Sequence, residues 1–260
     1  MKDIIKEYLN FIFAITRKNN HMSLIQTITR TMLVKPHPAG YPFIGGAVGL
    51  SILFLLIWKP LGLLTLILAG FIAYFFRDPV RSVPQDENFV LSPADGRVIS
   101  ITPNVALPDG LDDEVELAES FTKISIFLSV LDVHVNRIPI SGTIIKKFYH
   151  AGKFFNAELD KASAENERSV ALIKTEKGEY IGVSQIAGLV ARRIITDLEE
   201  GKNVTAGERF GIIRFGSRAD IYLPQNINPT VCVGQRAIGG ETILADLSAT
   251  KKEILTAKDI

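Results

Sequence analysis

The 260-residue chain contains a single cysteine, Cys232. No intramolecular disulfide can form, so the fold needs no oxidising compartment. Histidine is almost as scarce: His21, His37, His134 and His150 are scattered, and they offer no zinc-ligand spacing. A transition-metal enzyme is therefore not expected. Excess charge of one sign is also lacking. The net charge of +1 provides no basic face for nucleic acid. The G-x-S-x-G elbow of serine hydrolases is missing around Ser217, because Phe215 and Ala219 stand where its glycines are required.

What is present is unevenly distributed. Residues 1–40 form a basic leader, with Lys2, Lys6, Arg17, Lys18, Arg30 and Lys35 against Asp3 and Glu7. Leu24, Ile25, Ile28 and Met32 recur there at helical spacing, so the leader reads either as an amphipathic helix on a membrane surface or as a disordered segment. Met22 is an alternative start. Residues 41–76 are the membrane candidate. Tyr41 to Trp58 and Leu61 to Phe76 carry no charge, and Lys59-Pro60 interrupts them. A spanning helix needs ~20 residues, and proline breaks or kinks a helix. Two short spans, a hairpin dipping into one leaflet and one kinked helix all satisfy this pattern. The basic flank places the N-terminus in the cytoplasm by the positive-inside rule.

Residues 77–86 are polar, contain Pro79 and Pro84, and read as a linker to a domain spanning 87–260. Short strand-like runs punctuated by turns fill that domain, including Phe89-Leu91, Arg97-Ile101, Lys123-Leu128, Gly142-Phe148, Val170-Thr175, Tyr180-Ile186, Val190-Thr196, Phe210-Phe215, Ala219-Leu223 and Glu241-Ala245. Lys177-Gly178 and Gly239-Gly240 mark tight turns. A helix is expected only near Asn156-Lys161. The fold class is thus mainly β: a compact barrel-sandwich-like domain with few short helices, preceded by an apolar helical membrane segment.

Three segments can carry chemistry. Gly216-Ser217 lies between two strand-like runs and, taken alone, is a turn. It also has the composition for backbone cleavage, since a serine hydroxyl can attack the preceding carbonyl when a base takes its proton and glycine permits the required dihedrals. Asp95, in Ser92-Pro-Ala-Asp-Gly-Arg-Val98, sits at a favoured Asp-Gly turn and is an alternative orienter or proton acceptor. His134, in Asp132-Val-His-Val-Asn-Arg-Ile-Pro139, has an ordinary pKa of about 6.5, suited to proton transfer near neutrality. Lys153, Arg192 and Arg193 are either solvated surface charge or phosphate contacts, for which guanidinium geometry is favourable.

Six segments occur together in one order: Phe75-Phe-Arg-Asp-Pro79, Ser92-Pro-Ala-Asp-Gly-Arg-Val98, Asp132-Val-His-Val-Asn-Arg-Ile-Pro139, Gly152-Lys-Phe-Phe-Asn-Ala157, Asn166-Glu-Arg168 and Phe215-Gly-Ser-Arg218. In this the chain resembles the short bacterial form of phosphatidylserine decarboxylase, from about residue 40 to residue 246. The resemblance implies a proenzyme that cuts itself between Gly216 and Ser217. It implies a β chain of 1–216 held non-covalently to an α chain of 217–260, with a covalent pyruvoyl cofactor made from Ser217. That group would form a Schiff base with the serine amine of phosphatidylserine and, after decarboxylation, yield phosphatidylethanolamine. A higher oligomer is compatible with this arrangement. The implied location is the bacterial inner membrane, with the catalytic domain on the cytoplasmic side.

One position departs from the wider family. Longer members carry a second histidine where Arg137 stands here, as part of an Asp-His-Ser relay. Arginine stays protonated and is no ordinary general base. Asp95 and Ser217 therefore transfer, an intact relay does not, and Arg137 becomes a candidate for the substrate carboxylate or phosphate. Rival readings are a decarboxylase of an archaetidylserine-like lipid and, from another class, a lipoyl- or biotinyl-like carrier or adaptor module. A carrier needs a lysine at a hairpin tip, where this chain has Gly216-Ser217-Arg218.

Overall fold

The computed structural model describes residues 34–111, 120–152, 166–188, 193–214 and 217–249. They fall into two compact units that divide between Val80 and Arg81. The fold is mainly β, as the strand pattern predicts.

The first unit is helical. A 3-10 turn, Pro38–Gly40, leads into α1 (Tyr41–Ile57), and α2 (Lys59–Phe75) follows after Trp58 alone. Pro60 lies in the first turn of α2, where its missing N–H costs nothing and its ring ends any continuation of α1. The helices pack closely at this bend: a Cβ on Gly62 would sit 2.5 Å from the Leu55 backbone nitrogen. At the other end the chain closes on itself, with the His37 N–H donating to the Phe76 carbonyl at 2.7 Å. The two helices thus form a hairpin whose ends emerge on one side. Its surface is apolar, Leu56 being 81% and Ile67 72% exposed. The helical stretch Pro38–Ile57 is long and apolar enough to cross a membrane; Lys59–Phe75 is apolar but shorter.

Among the described residues the second unit has thirteen strands: β1 (Phe89–Leu91), β2 (Gly96–Val105), β3 (Phe121–Leu128), β4 (Val135–Arg137), β5 (Gly142–His150), β6 (Arg168–Lys174), β7 (Tyr180–Ala187), β8 (Ile194–Thr196), β9 (Asn203–Val204), β10 (Arg209–Ile213), β11 (Ser217–Pro224), β12 (Arg236–Ala237) and β13 (Ile243–Asp246). Eight of them build one curled antiparallel sheet in the order β12-β2-β3-β11-β7-β6-β5-β9. A three-stranded sheet, β4-β10-β8, and the β1-β13 pair complete the unit. The turn expected at Lys177-Gly178 joins β6 to β7, with Gly178 at a φ of 91° that disfavours other residues. The helix expected near Asn156-Lys161 lies outside the described residues.

Side-chain alternation gives the large sheet two apolar faces. One joins the principal core, which includes Ile124, Ile126, Val183, Ile221 and Leu223. The other joins a smaller cluster of Leu107, Leu111, Phe121, Val170, Leu172 and Tyr222. Every residue of β11 is buried, as its central place between β3 and β7 requires.

Candidate active site

Ser217 begins β11 and lies opposite Leu128 of β3 and Ala187 of β7. It is fully buried, and its Oγ has no hydrogen-bond partner among the described residues. An unsatisfied buried hydroxyl costs about 1–3 kcal/mol, and the Ser100, Ser125 and Ser169 hydroxyls share that condition; Ser217 differs in heading the central strand directly after a glycine. Its nearest neighbours on that face, Leu128, Ala187 and Ala219, are small or aliphatic. Ala94, Leu128 and Ala219 form one cluster, and Ala187, Ile194 and Ile213 another. Gly216, the other half of the sequence-predicted scissile pair, lies outside the described residues.

His134 is also fully buried. It immediately precedes β4, and its carbonyl accepts a hydrogen bond from the Ile213 N–H at 3.3 Å. That bond ties it to the end of β10, four residues before Ser217. The imidazole Nδ1 lies 3.0 Å from the Asp132 carbonyl oxygen, which fixes the ring's orientation and favours a proton on Nδ1. The layer to which His134 belongs covers the Ser217 face of the large sheet. Asn136 of β4 accepts a 2.9 Å hydrogen bond from Gln185 of β7, and Gln185 stands opposite Ala219.

Asp95 precedes β2. In the adjoining register, Arg97 pairs with Phe127 and Phe127 with Arg218. Asp95 therefore lies at the same end of the sheet as Ser217 but two strands away, about 10 Å at ordinary strand spacing. Its carboxylate is held by Arg81 Nη2, at 2.8 and 2.7 Å from its two oxygens, and by the Gly239 N–H at 2.8 Å. Burial pushes its pKa above the usual carboxylate value, although Arg81 and the Gly239 N–H pull it back down; Asp132 adds a smaller upward push. Ser217 and Asp95 thus share an end of the sheet, with other groups already engaging both carboxylate oxygens.

Arg137 is buried and donates from Nη1 to the Gly207 carbonyl at 2.9 Å. Its aliphatic stem packs where a Cβ on Gly240 would come within 2.8 Å, so Gly240 leaves room for the side chain as well as adopting a φ of 77°. Arg193 is exposed and adjoins Arg214, whose N–H donates to the Arg193 carbonyl at 3.4 Å. Lys153 and Arg192 lie outside the described residues.

Sequence reasoning missed several parts of this arrangement. Arg81, inside the polar run read as a linker, is the partner of Asp95. Asn166 donates to the carbonyl of Ala187, the cross-strand neighbour of Ser217, at 2.8 Å. Glu167 receives the Ile194 N–H at 3.1 Å. Both lie within the Asn-Glu-Arg motif, which was the available signal. The Gln185–Asn136 bond had no signal beyond an amide in an apolar strand.

The sequence model for phosphatidylserine decarboxylase matches residues 68–245. The chain is 49% identical to the phosphatidylserine decarboxylase proenzyme of Beijerinckia indica over 88% of its length and 97% of that protein. It is 49% identical to the proenzyme of Cereibacter sphaeroides, over 84% of this chain and 93% of that one. Against the proenzyme of Granulibacter bethesdensis the figures are 47% identity, 89% and 93%. With a family match over most of the chain, and with relatives this similar over nearly their whole length, the chain belongs to the phosphatidylserine decarboxylase family.

Proposed function

We propose that the protein decarboxylates phosphatidylserine to phosphatidylethanolamine, using a pyruvoyl group that it makes from its own Ser217. The observation that carries this reading is the place of Ser217, buried at the head of the central strand directly after Gly216, with its hydroxyl unpartnered among the described residues. The Ser100, Ser125 and Ser169 hydroxyls are unpartnered there too, but none of those serines follows a glycine at a strand head.

In the cleavage step Ser217 Oγ attacks the Gly216 carbonyl carbon and a base takes the hydroxyl proton. The Gly216–Ser217 amide becomes an ester, and the Ser217 nitrogen becomes an amine. Loss of the Ser217 α-proton then expels the Gly216 carboxylate and leaves dehydroalanine. Water converts this to the ketone with release of ammonia. The products are a β chain of 1–216 and an α chain of 217–260, held together without a covalent link. Because β11 pairs with β3 and β7 along its length, the cut would leave the new terminus anchored in the sheet.

The residues around Ser217 fit the resulting group. Ala187, Ala219 and Leu128 are apolar and compact, so the site excludes water without presenting competing charge. When formed, the pyruvoyl group supplies a ketone that captures the substrate amine and accepts the electron pair left as carbon dioxide departs. His134 is the proton-transfer residue of the decarboxylation, oriented through Nδ1 by the Asp132 carbonyl. Asp95 serves self-cleavage and is positioned by Arg81 and the Gly239 N–H. Arg137, Lys153, Arg192 and Arg193 are the candidates for binding the substrate's carboxylate and phosphate; Arg137 also holds the Gly207 carbonyl.

The apolar helical hairpin supports attachment to the membrane that contains the substrate. Its exposed surface is apolar, and its single turn carries Trp58 and Lys59, side chains suited to a membrane interface. The proposed location is the inner membrane, with the catalytic domain on the cytoplasmic side. The test is carbon dioxide release from vesicles containing phosphatidylserine labelled at the serine carboxyl. The wild-type protein should release label and Ser217→Ala should release none. Equal release by both would overturn the reading.

A further inference from the structure

The loop between β3 and β4 leaves Leu128, the cross-strand partner of Ser217, and returns through Asp132 to His134. Its tip exposes two aliphatic side chains, Val130 at 45% and Leu131 at 58%. The loop is built rather than loose: Asp132 Oδ2 accepts from both the N–H and the hydroxyl of Ser129, at 2.9 and 2.7 Å. Asp132 Oδ1 meets Arg236 Nη2 at 2.6 Å, and the Arg236 side chain is 67% exposed while that of Asp132 is 7% exposed. Arg236 lies opposite Arg97 in the β12-β2 pair. Arg97 in turn donates to the Gly234 carbonyl at 2.7 Å, and Gly234 follows Val233, which is 50% exposed.

Three exposed aliphatic side chains and two exposed guanidinium groups therefore occupy one end of the sheet, bordering the residues that surround Ser217. Scattered exposed apolar residues need no explanation. A group on two adjoining loops, fixed by ion pairing and flanked by cations, does. Apolar tips that insert at the acyl boundary and cations that meet anionic head groups make the combination that docks a protein on a bilayer. The carboxylate within this group is the buried Asp132, so the outward charge is positive.

The geometry points to a second membrane contact, made by Val130, Leu131 and Val233 with Arg97 and Arg236, that presses the Ser217 end of the large sheet onto an anionic bilayer. This inference rests on the reading of the protein as a lipid decarboxylase and adds to it. The hairpin holds the chain at the membrane; the lip would orient the catalytic unit so that a head group reaches Ser217 with its acyl chains still in the lipid.

The experiment uses the full chain reconstituted in vesicles of phosphatidylglycerol and phosphatidylcholine. Trp58 is the only tryptophan, so a Trp58→Phe background carrying Leu131→Trp reports on the lip alone. Emission should shift to shorter wavelength and be quenched by phosphatidylcholine brominated high in its acyl chains, more strongly as the anionic fraction rises. Unquenched emission would overturn the proposal, as would a shift that depends on protein concentration without lipid, which would indicate a second copy of the chain on this surface. This readout does not depend on decarboxylation, so it stands or falls separately from the proposed reaction. As a second measurement, Val130→Ser with Leu131→Ser should lower release of carbon dioxide from bilayer phosphatidylserine roughly tenfold. Self-cleavage and turnover of a soluble short-chain phosphatidylserine should be unchanged. Equal loss on both substrates, or loss on neither, would contradict the lip.

Discussion

Along β11 the odd-numbered side chains, Ser217, Ala219, Ile221 and Leu223, enter the face that joins the principal aliphatic core, whereas Arg218, Asp220 and Tyr222 enter the other. The two faces solve opposite problems. Arg218 and Asp220 form an ion pair with Nε to Oδ1 at 2.6 Å and Nη2 to Oδ2 at 2.8 Å, and both side chains are 0% exposed. Burial and the Asp220 carboxylate push the Tyr222 phenol upward, so it stays neutral beside them. Burying charge in this way is costly and contributes little net stability. What it does provide is register. A one-residue slip of β11 would drive Arg218 and Asp220 into the aliphatic core and Ser217 out of its place opposite Leu128 and Ala187. One face carries the Ser217 hydroxyl, and the other opposes a slip of the strand that presents it.

The contrast can be probed from either side. The largest effect is expected at His134, in the layer over the Ser217 face. His134→Ala should slow decarboxylation about 10²- to 10⁴-fold and affect self-cleavage less, as read by carbon dioxide release and by gel analysis of the same preparation. Equal losses would contradict the division of roles. On the charged face, Asp220→Ala removes one partner of a buried pair and should cost about 3–5 kcal/mol, lowering Tm by about 10 °C. Replacing both members, with Arg218→Met and Asp220→Leu, should recover most of that stability. Slower cleavage in the recovered protein would identify the pair as a register device.

Smaller effects follow from packing and titration. Ala219→Leu adds three carbons beside Ser217 and should cost about 1–3 kcal/mol by overpacking, measurable by urea unfolding, while slowing cleavage. Arg81→Gln should give the smallest change, visible as a pH dependence. Asp95 has a raised pKa, so the folded protein binds its proton more tightly than the unfolded chain does. The stability this contributes is complete below the ordinary carboxylate pKa and lost as pH rises through the folded value. Removing Arg81 abolishes two of the causes that lower that value. The loss should then become larger and extend to higher pH in a series of unfolding curves.

Much of the fold can be read from the residues because local physics decides it. Apolar runs bounded by turn residues became β3, β6 and β7, Pro60 separated the two helices, and Gly178 turned β6 into β7. The strand β4 was not legible, because the whole segment from Asp132 to Ile140 is buried and shows neither the alternation nor the apolar continuity of a strand. Pairing of β1 with β13 joins Phe89 to Asp246, a contact that no local pattern encodes. At the candidate site, Ser217, Asp95 and His134 stood out as residue types at turns and strand ends. Arg81 did not, since an arginine in a proline-rich polar run looks like solvated charge until its partner is known. Gln185 and Asn136 were hidden for a related reason: each is an isolated amide in its own strand, and only tertiary structure supplies the bond between them.

Intact mass spectrometry of the purified, active protein reads the state of the Gly216–Ser217 peptide bond. Two chains are expected, the smaller beginning at residue 217 and lighter by one ammonia than its unmodified sequence. A single full-length chain that nevertheless releases carbon dioxide from phosphatidylserine would contradict the proposed mechanism.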